Sequence, residues 1–124
     1  MIVVDTNALM MPVECDVRLF DELRRLVGDQ PLVTPEAVVA ELEKLADGNG
    51  KEATAASVGL DLVDRCEAVA TDADYADDAV LELASHPDAT HAVTNDKPLK
   101  RRLLDAGVPV ISLRGQHKLA ITQP

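Results

Sequence analysis

Two aspartates stand at the ends of two predicted strands and could share a metal site. Asp5 ends the stretch IVVD, and Asp96 ends the stretch HAVTND. If these stretches are neighbouring strands of one sheet, the two carboxylates converge and repel each other unless a cation lies between them. Carboxylate and water oxygens are the ligands that Mg²⁺ and Mn²⁺ prefer. Taken alone, each aspartate also fits an ordinary N-cap for the helix that follows, so both interpretations stay open.

Two further acids, Asp77 and Glu41, lie on predicted helices. At 100° per residue, Asp77 shares the buried side of its helix with Val80 and Ala84, whereas Asp78 points away from it. A buried carboxylate needs a partner, because burying an unpaired charge is costly; an Asp in the first turn can otherwise simply complement the helix dipole. Glu41 flanks an apolar stripe and is either a solvated edge residue or part of a site. Four such acids at one end of a sheet would suit a divalent ion that activates water and clamps a phosphodiester.

The order of the predicted elements determines where these acids lie. Strands are predicted at residues 2–5, 31–33, 67–70, 91–94 and 108–113. Helices are predicted at residues 17–27, 35–46, 51–66, 76–85 and 97–106. Thr34 is predicted to cap the helix that begins at Pro35. Alternating strands and helices predict a parallel sheet with helices on both faces, whose sites form at the carboxyl ends of the strands.

Composition narrows the class of protein. Hydrophobic residues make up 47% of the 124 residues and aromatic residues 2%, so we expect a core of Val, Leu, Ile and Ala in one domain, residues 1–124. No apolar run is long enough to cross a bilayer, and no basic segment precedes the first apolar residues, so we expect neither a membrane partner nor a signal peptide. Cys15 and Cys66 are too few for a disulfide scaffold or a zinc site, which favours free thiols and a cytoplasmic protein.

Charge is distributed unevenly along the chain. The net charge is −10, with 22 acidic and 12 basic residues, which argues against a passive coat for nucleic acid. A basic cluster nevertheless follows Asp96 directly: Lys97, Lys100, Arg101 and Arg102. It is either a solvated helix face or a contact surface for phosphates.

Four motifs together carry a family likeness. They are VVDTN, TPEAVVAELEKL, YADDAVLELA and VTNDKPLKRRLLDAGVPVISL, in this order along nearly the whole chain. The sequence resembles the PIN-domain nucleases, with Asp5, Glu41, Asp77 and Asp96 in the acid positions. The combination of motifs looks most like the branch that cuts ribosomal RNA precursors during small-subunit assembly. A single domain of this size also looks like the VapC-type toxin ribonucleases.

The resemblance implies a three-layer α/β/α sandwich with a mainly parallel, roughly five-stranded sheet. It also implies a metal-dependent endonuclease that acts on single-stranded RNA, with Mg²⁺ or Mn²⁺ as cofactor. Asp5, Asp77 and Asp96 would hold the metal, and Glu41 would hold it or position a water. Four polar residues would orient those carboxylates by hydrogen bonds: Thr6, Asn7, Thr94 and Asn95. The basic cluster would meet the RNA backbone.

Three other functions stay open. A toxin ribonuclease would have an antitoxin partner, and proteins of this type commonly look dimeric. A binding module would hold RNA or a ribosome-assembly partner without cutting. A small-molecule or phosphotransfer domain is disfavoured, because the glycines are scattered and form no phosphate-binding loop.

Overall fold

Six strands form one sheet in the computed structural model, which describes residues 1–124. The strands are β1 (Ile2–Val4), β2 (Leu32–Pro35), β3 (Glu67–Val69), β4 (His91–Val93), β5 (Val110–Arg114) and β6 (Lys118–Thr122). The helices are α1 (Thr6–Glu14), α2 (Leu19–Val27), α3 (Glu36–Ala46), α4 (Gly50–Val63), α5 (Ala76–Ala84) and α6 (Lys97–Asp105).

The strand order in the sheet is β3-β2-β1-β4-β5-β6. Strands β1 to β5 pair in parallel, and β6 pairs antiparallel with β5. The chain moves from β1 outward to β3 on one side, then returns to β4 on the other side of β1. In parallel sheets this change of direction opens a crevice at the carboxyl ends of the two central strands. The crevice here lies between the ends of β1 and β4.

The helices cover both faces of the sheet. Right-handed crossovers place α1 to α4 on one face and α5 and α6 on the other. The packing agrees, since α4 lies against both α1 and α3 while α5 lies against α6. None of these helices is long and apolar enough to span a membrane.

The core is aliphatic, as the composition predicts. All three residues of β1 are fully buried, which suits a central strand covered on both faces. Met10 and Met11 add two unbranched side chains to the Val, Leu, Ile and Ala core. Phe20 lies at the margin of the core, where the Arg65 guanidinium stacks over its ring at 3.7 Å.

The predicted α/β architecture is confirmed, with two differences in its elements. The sheet has six strands rather than roughly five, because the segment after Gly115 turns back as β6 and pairs with β5. The helix that follows Asp5 extends from Thr6 to Glu14 and contains Pro12. Proline inside an apolar run normally argues against a helix, so the sequence pattern gave no bounds for α1.

The predicted cap of α3 is wrong. Thr34 stays in β2, and the N-cap of α3 is Pro35, which makes no side-chain capping bond. The Thr34 hydroxyl instead donates to the Val4 carbonyl at 2.7 Å, within the core. Thr34 therefore ties the carboxyl end of β2 to that of β1.

An ion pair on α2 between the buried Glu22 and the exposed Arg25 holds the outer edge of β6. The Glu22 carboxylate accepts from the Leu119 backbone N–H at 2.9 Å, and Arg25 donates to the Leu119 carbonyl at 2.8 Å. Arg25 and Glu22 also bond to each other at 2.8 Å. The pair satisfies the N–H and the carbonyl of Leu119, two of the backbone groups that an edge strand would otherwise present to another chain. The Arg25 bond and then the Leu119 N–H lower the pKa of Glu22 to about 2.

We expect Glu22→Gln to lower the free energy of unfolding by about 2 kcal/mol at pH 7, since hydrogen bonds to a buried charge are lost. Because the pKa of Glu22 is lower in the folded state, its contribution is present above pH 4.5 and is lost as the pH falls towards 2. Urea unfolding at pH 7 and at pH 3.5 measures both effects. The control is Glu43→Gln, at an exposed residue with no ion pair; an equal loss in both variants would contradict the role of the pair.

Candidate active site at the ends of β1 and β4

Asp5 combines two positions, the end of β1 and the N-cap of α1. Its backbone N–H donates to the Val93 carbonyl at 3.3 Å, which continues the pairing of β1 with β4. Its carboxylate Oδ1 accepts from the Ala8 backbone N–H at 2.7 Å. The residue is only 4% exposed. The N-cap that the sequence suggested is therefore present, and it fixes a buried carboxylate at the crevice.

Asp96 repeats this arrangement one strand away. It follows β4 and is the N-cap of α6, and its Oδ1 accepts from the Leu99 backbone N–H at 2.9 Å. Since β1 and β4 are adjacent, the starts of α1 and α6 meet at the same edge of the sheet. The partial positive charge of a helix N-terminus favours an anion there, which helps to hold each carboxylate.

An acidic pocket of about 250 Å³ opens at this edge. Six carboxylates line it, four from helices α1, α3, α4 and α5 and two from the residues that follow β1 and β4: Glu14, Glu41, Glu52, Asp77, Asp5 and Asp96. No basic side chain lines the pocket, and none of the six acids takes part in an ion pair. The structure thus brings together the four acids that the sequence singles out.

Burial and mutual repulsion disfavour ionisation in the acidic pocket. Burial, together with the charges of Asp77 and Asp96, raises the pKa of Asp5 to about 7, although the Thr94 hydroxyl and the Ala8 N–H act in the opposite direction. Burial, followed by the charges of Asp96 and Glu41, also raises the pKa of Asp77, and only Arg102 opposes this. Two carboxyl groups whose pKa values are raised by burial and by neighbouring negative charges indicate a site that a cation would stabilise.

Asp77 and Asp78 face different surroundings, as the helical spacing predicts. Asp77 is half-buried and lines the acidic pocket. Asp78 is exposed and forms an ion pair with Arg102 at 2.8 Å. Asp78 therefore holds the Arg102 guanidinium on the surface beside the pocket.

The polar residues next to the aspartates mainly brace the backbone. Asn7 Oδ1 accepts from the Asn95 backbone N–H at 3.0 Å, and Asn95 Oδ1 accepts from the Leu113 N–H at 2.7 Å. These two side chains join the ends of β1, β4 and β5 and do not bond to the carboxylates, contrary to the expectation. The Thr94 hydroxyl accepts from the Asp96 backbone N–H at 3.0 Å, and it also lowers the pKa of the Asp5 carboxyl.

The pocket residues suit a hard divalent cation. The buried Thr6 hydroxyl has no hydrogen-bond partner, so it is free to bond to a group that enters the pocket. The available donors are carboxylates and this hydroxyl, with no His or Cys among them. No three of the acids are already close enough to hold an ion, which is consistent with carboxylates that repel one another.

Sequence reasoning missed two members of the acidic pocket, Glu14 and Glu52. Asn7, Met10 and Glu14 lie at helical spacing on one side of α1. If the sequence had given the bounds of α1, this spacing would have predicted Glu14 in the pocket. Glu52 reaches the pocket because α4 packs against α1 and α3. No local signal marks that placement.

The basic cluster lies on α6, beginning directly after Asp96. Lys100 bonds through Nζ to the Ser112 hydroxyl at 3.1 Å, and Arg102 is paired with Asp78. Lys97 and Arg101 are exposed and make no ion pair. These two residues are the most available to a bound anion.

Known proteins resemble the chain in sequence and in fold. A family model described as a PIN like domain matches residues 2–116. Ribonuclease VapC4 of Methanocaldococcus jannaschii is 32% identical over 117 residues, covering 91% of this chain and 89% of that protein. Ribonuclease VapC9 of Archaeoglobus fulgidus is 34% identical over 120 residues, covering 96% and 87%. The PIN domain endonuclease Utp24 superposes with a TM-score of 0.79 at 27% identity, covering 99% of this chain and 91% of that one.

We expect Asp5→Asn to stabilise the protein in EDTA by about 1–3 kcal/mol at pH 8, because a buried charge is removed while Asn can still cap α1. The pKa of Asp5 is raised in the folded state, so the wild type loses stability as the pH rises from about 3.8 to about 7. Urea unfolding at pH 4.5 and pH 8 should show the gain mainly at pH 8. Asp61→Asn, at an exposed residue without an ion pair, is the control. An Asp5→Asn protein less stable than wild type at pH 8 would refute this account of the acidic pocket.

Proposed function

The chain belongs to the PIN-like domain family, and on that premise we propose that it is a divalent-metal-dependent endoribonuclease that hydrolyses single-stranded RNA. The observation that carries the proposal is the meeting of Asp5, Glu41, Asp77 and Asp96 in one pocket at the change of strand direction. The two archaeal relatives are named ribonucleases, and the similar solved structure is named an endonuclease.

The four acids form the metal site in this proposal. Asp5, Asp77 and Asp96 hold Mg²⁺ or Mn²⁺ directly or through water, and Glu41 holds the ion or positions the attacking water. A bound divalent ion lowers the pKa of water and stabilises the oxygen that leaves phosphorus. The helix starts at Asp5 and Asp96 keep those two carboxylates in place through the Ala8 and Leu99 N–H groups. Thr6 offers its free hydroxyl to the same pocket.

The basic cluster binds the RNA backbone in this proposal. Lys97 and Arg101 are exposed beside Asp96, where they offset the repulsion between phosphates and an acidic pocket. Lys100 and Arg102 add positive charge while they remain bonded to Ser112 and Asp78. The scissile phosphate then lies between the basic cluster and the acids.

Two biological settings fit this activity. The motifs favour processing of ribosomal RNA precursors, in which case a ribosome-assembly factor is the partner. The two relatives named VapC favour a toxin ribonuclease that an antitoxin restrains. In either setting we propose a cytoplasmic protein, and both settings are compatible with a homodimer. A non-cleaving RNA-binding module is the remaining alternative, and an assay for cleavage separates it from the enzyme.

We expect Asp77→Asn to lower the rate of RNA cleavage by at least about 100-fold. Loss of a residue that only hydrogen-bonds to a metal ligand already costs about 10- to 100-fold in metal affinity or activity. The control is Asp61→Asn, because Asp61 is exposed, makes no ion pair and does not line the acidic pocket. Cleavage of a labelled single-stranded RNA in Mn²⁺ and calorimetric titration with Mn²⁺ should both separate the two variants. Equal activity and equal Mn²⁺ binding in the two variants would exclude Asp77 from the site.

We expect Lys97→Ala and Arg101→Ala each to weaken RNA binding at low salt and to reduce the slope of log affinity against log salt by about 0.7. The effect should not depend on RNA sequence, because the contacts are to phosphates. Filter binding between 50 and 300 mM KCl measures the slope. Arg18→Ala is the control, because Arg18 is exposed, makes no ion pair and lines a different cavity. Unchanged slopes for Lys97→Ala and Arg101→Ala would place the RNA elsewhere.

A further inference from the structure

A side cavity of about 560 Å³ adjoins the acidic pocket and shares Glu41 and Leu45 with it. Its other walls include Ala37, Ala40 and Lys44 of α3 and Tyr75, which immediately precedes α5. The small alanine side chains leave room for a flat group between α3 and the Tyr75 side chain. A chain that passes through the acidic pocket can therefore place its next group in the side cavity.

Tyr75 exposes its ring at this position. It is 64% exposed, and it is the one large hydrophobic side chain of the protein that is exposed. The sequence contains no Trp and a single Phe, Phe20, which packs against the core. Among the Phe, Tyr and Trp side chains, the only exposed ring thus lies two residues before Asp77, on the wall of a cavity.

Helix stability does not explain a tyrosine here. Tyr75 is the N-cap of α5, where Ser, Thr, Asp or Asn would each accept a hydrogen bond from the helix. Its side chain makes no capping bond, and only its backbone carbonyl takes part, accepting from the Ala79 N–H at 2.9 Å. The Tyr75 side chain thus gains neither a capping bond nor full burial, and its exposed ring is available to a ligand.

The segment before Tyr75 is held rigidly. The Glu82 carboxylate accepts from the Asp72 N–H at 2.9 Å and from the Ala73 N–H at 3.0 Å. The Thr71 hydroxyl donates to the Ala73 carbonyl at 2.8 Å. An aromatic ring on a braced segment loses little freedom when it binds a ligand, which favours affinity.

Lys44 supplies the positive charge of the side cavity. It is the only basic side chain among the lining residues, and it forms no ion pair. The acids Glu41 and Asp74 also line the cavity, and they disfavour an anion that is not paired with the Lys44 ammonium. An apolar floor, an exposed ring and one free ammonium match a nucleobase with its phosphate.

We propose that the side cavity is a subsite for one unpaired nucleotide of single-stranded RNA, whose base stacks on Tyr75 and whose phosphate meets Lys44. The inference rests on the proposed ribonuclease function. It adds a position for the nucleotide next to the scissile phosphate. Stacking accepts any base, because every base has a flat π-face, so the subsite selects for an unpaired strand rather than for a sequence. A base within a duplex is stacked on its neighbours and cannot enter.

The test uses 2′-O-methyl oligonucleotides, each with one 2-aminopurine, whose fluorescence falls when the base stacks. We expect quenching at one position of the strand with wild type and with Tyr75→Phe, which keeps the ring. Tyr75→Ser provides a better N-cap for α5 but has no ring, so it should fold normally and show no quenching. It should bind roughly tenfold more weakly, and the KM for RNA cleavage should rise more than kcat falls.

The outcomes separate this inference from the proposed function. If the wild type cleaves RNA and Tyr75→Ser binds the oligonucleotide as tightly as the wild type does, the subsite is overturned and the endonuclease is not. The side cavity would then be a contact surface for a protein. Quenching that depends on Tyr75 without any RNA cleavage would support the subsite and overturn the endonuclease. Neither binding nor cleavage by the wild type would overturn both. Lys44→Ala should weaken binding without removing the quenching, and loss of quenching in that variant would contradict the separate roles of ring and ammonium.

Discussion

Asp5 and Asp96 each cap a helix while facing the same pocket, and the rest of the structure depends on this double placement. Adjacent strands β1 and β4 carry the two carboxylates to one edge of the sheet, where α1 and α6 begin. Each carboxylate is held at its helix start by a backbone N–H group, that of Ala8 for Asp5 and that of Leu99 for Asp96. Asp77 adds a third carboxylate, so the fold maintains an electrostatic cost that a divalent cation would relieve.

The part of this site that depends on local sequence could be predicted. An apolar run that ends in polar residues with an acid marks a strand end, and two such runs predicted Asp5 and Asp96 at one edge of a parallel sheet. Helical spacing separated Asp77 from Asp78, and the structure shows Asp77 in the acidic pocket and Asp78 on the surface. For Glu41, spacing alone could not decide between an edge residue and a pocket residue, and only the family resemblance selected it.

The remaining features depend on contacts between distant residues. The Glu22 carboxylate accepts from the backbone N–H of Leu119, 97 positions later. No local sequence pattern therefore predicts β6 or the hydrogen bonds at its outer edge. Glu52 enters the acidic pocket only because helices pack, and the Thr34 hydroxyl turns to the Val4 carbonyl rather than to the start of a helix. The position of Tyr75 was readable from the sequence, but its exposed ring and braced segment were not.

The central claim is that the acids of the strand-end pocket bind a catalytic divalent cation. Anomalous diffraction from crystals grown with Mn²⁺ tests it most directly, because the manganese signal locates the ion without reference to activity. The account predicts a peak in the acidic pocket within about 2.0–2.6 Å of carboxylate oxygens of Asp5, Asp77 or Asp96. A peak only at other surface acids, with the pocket carboxylates still apart, would contradict it.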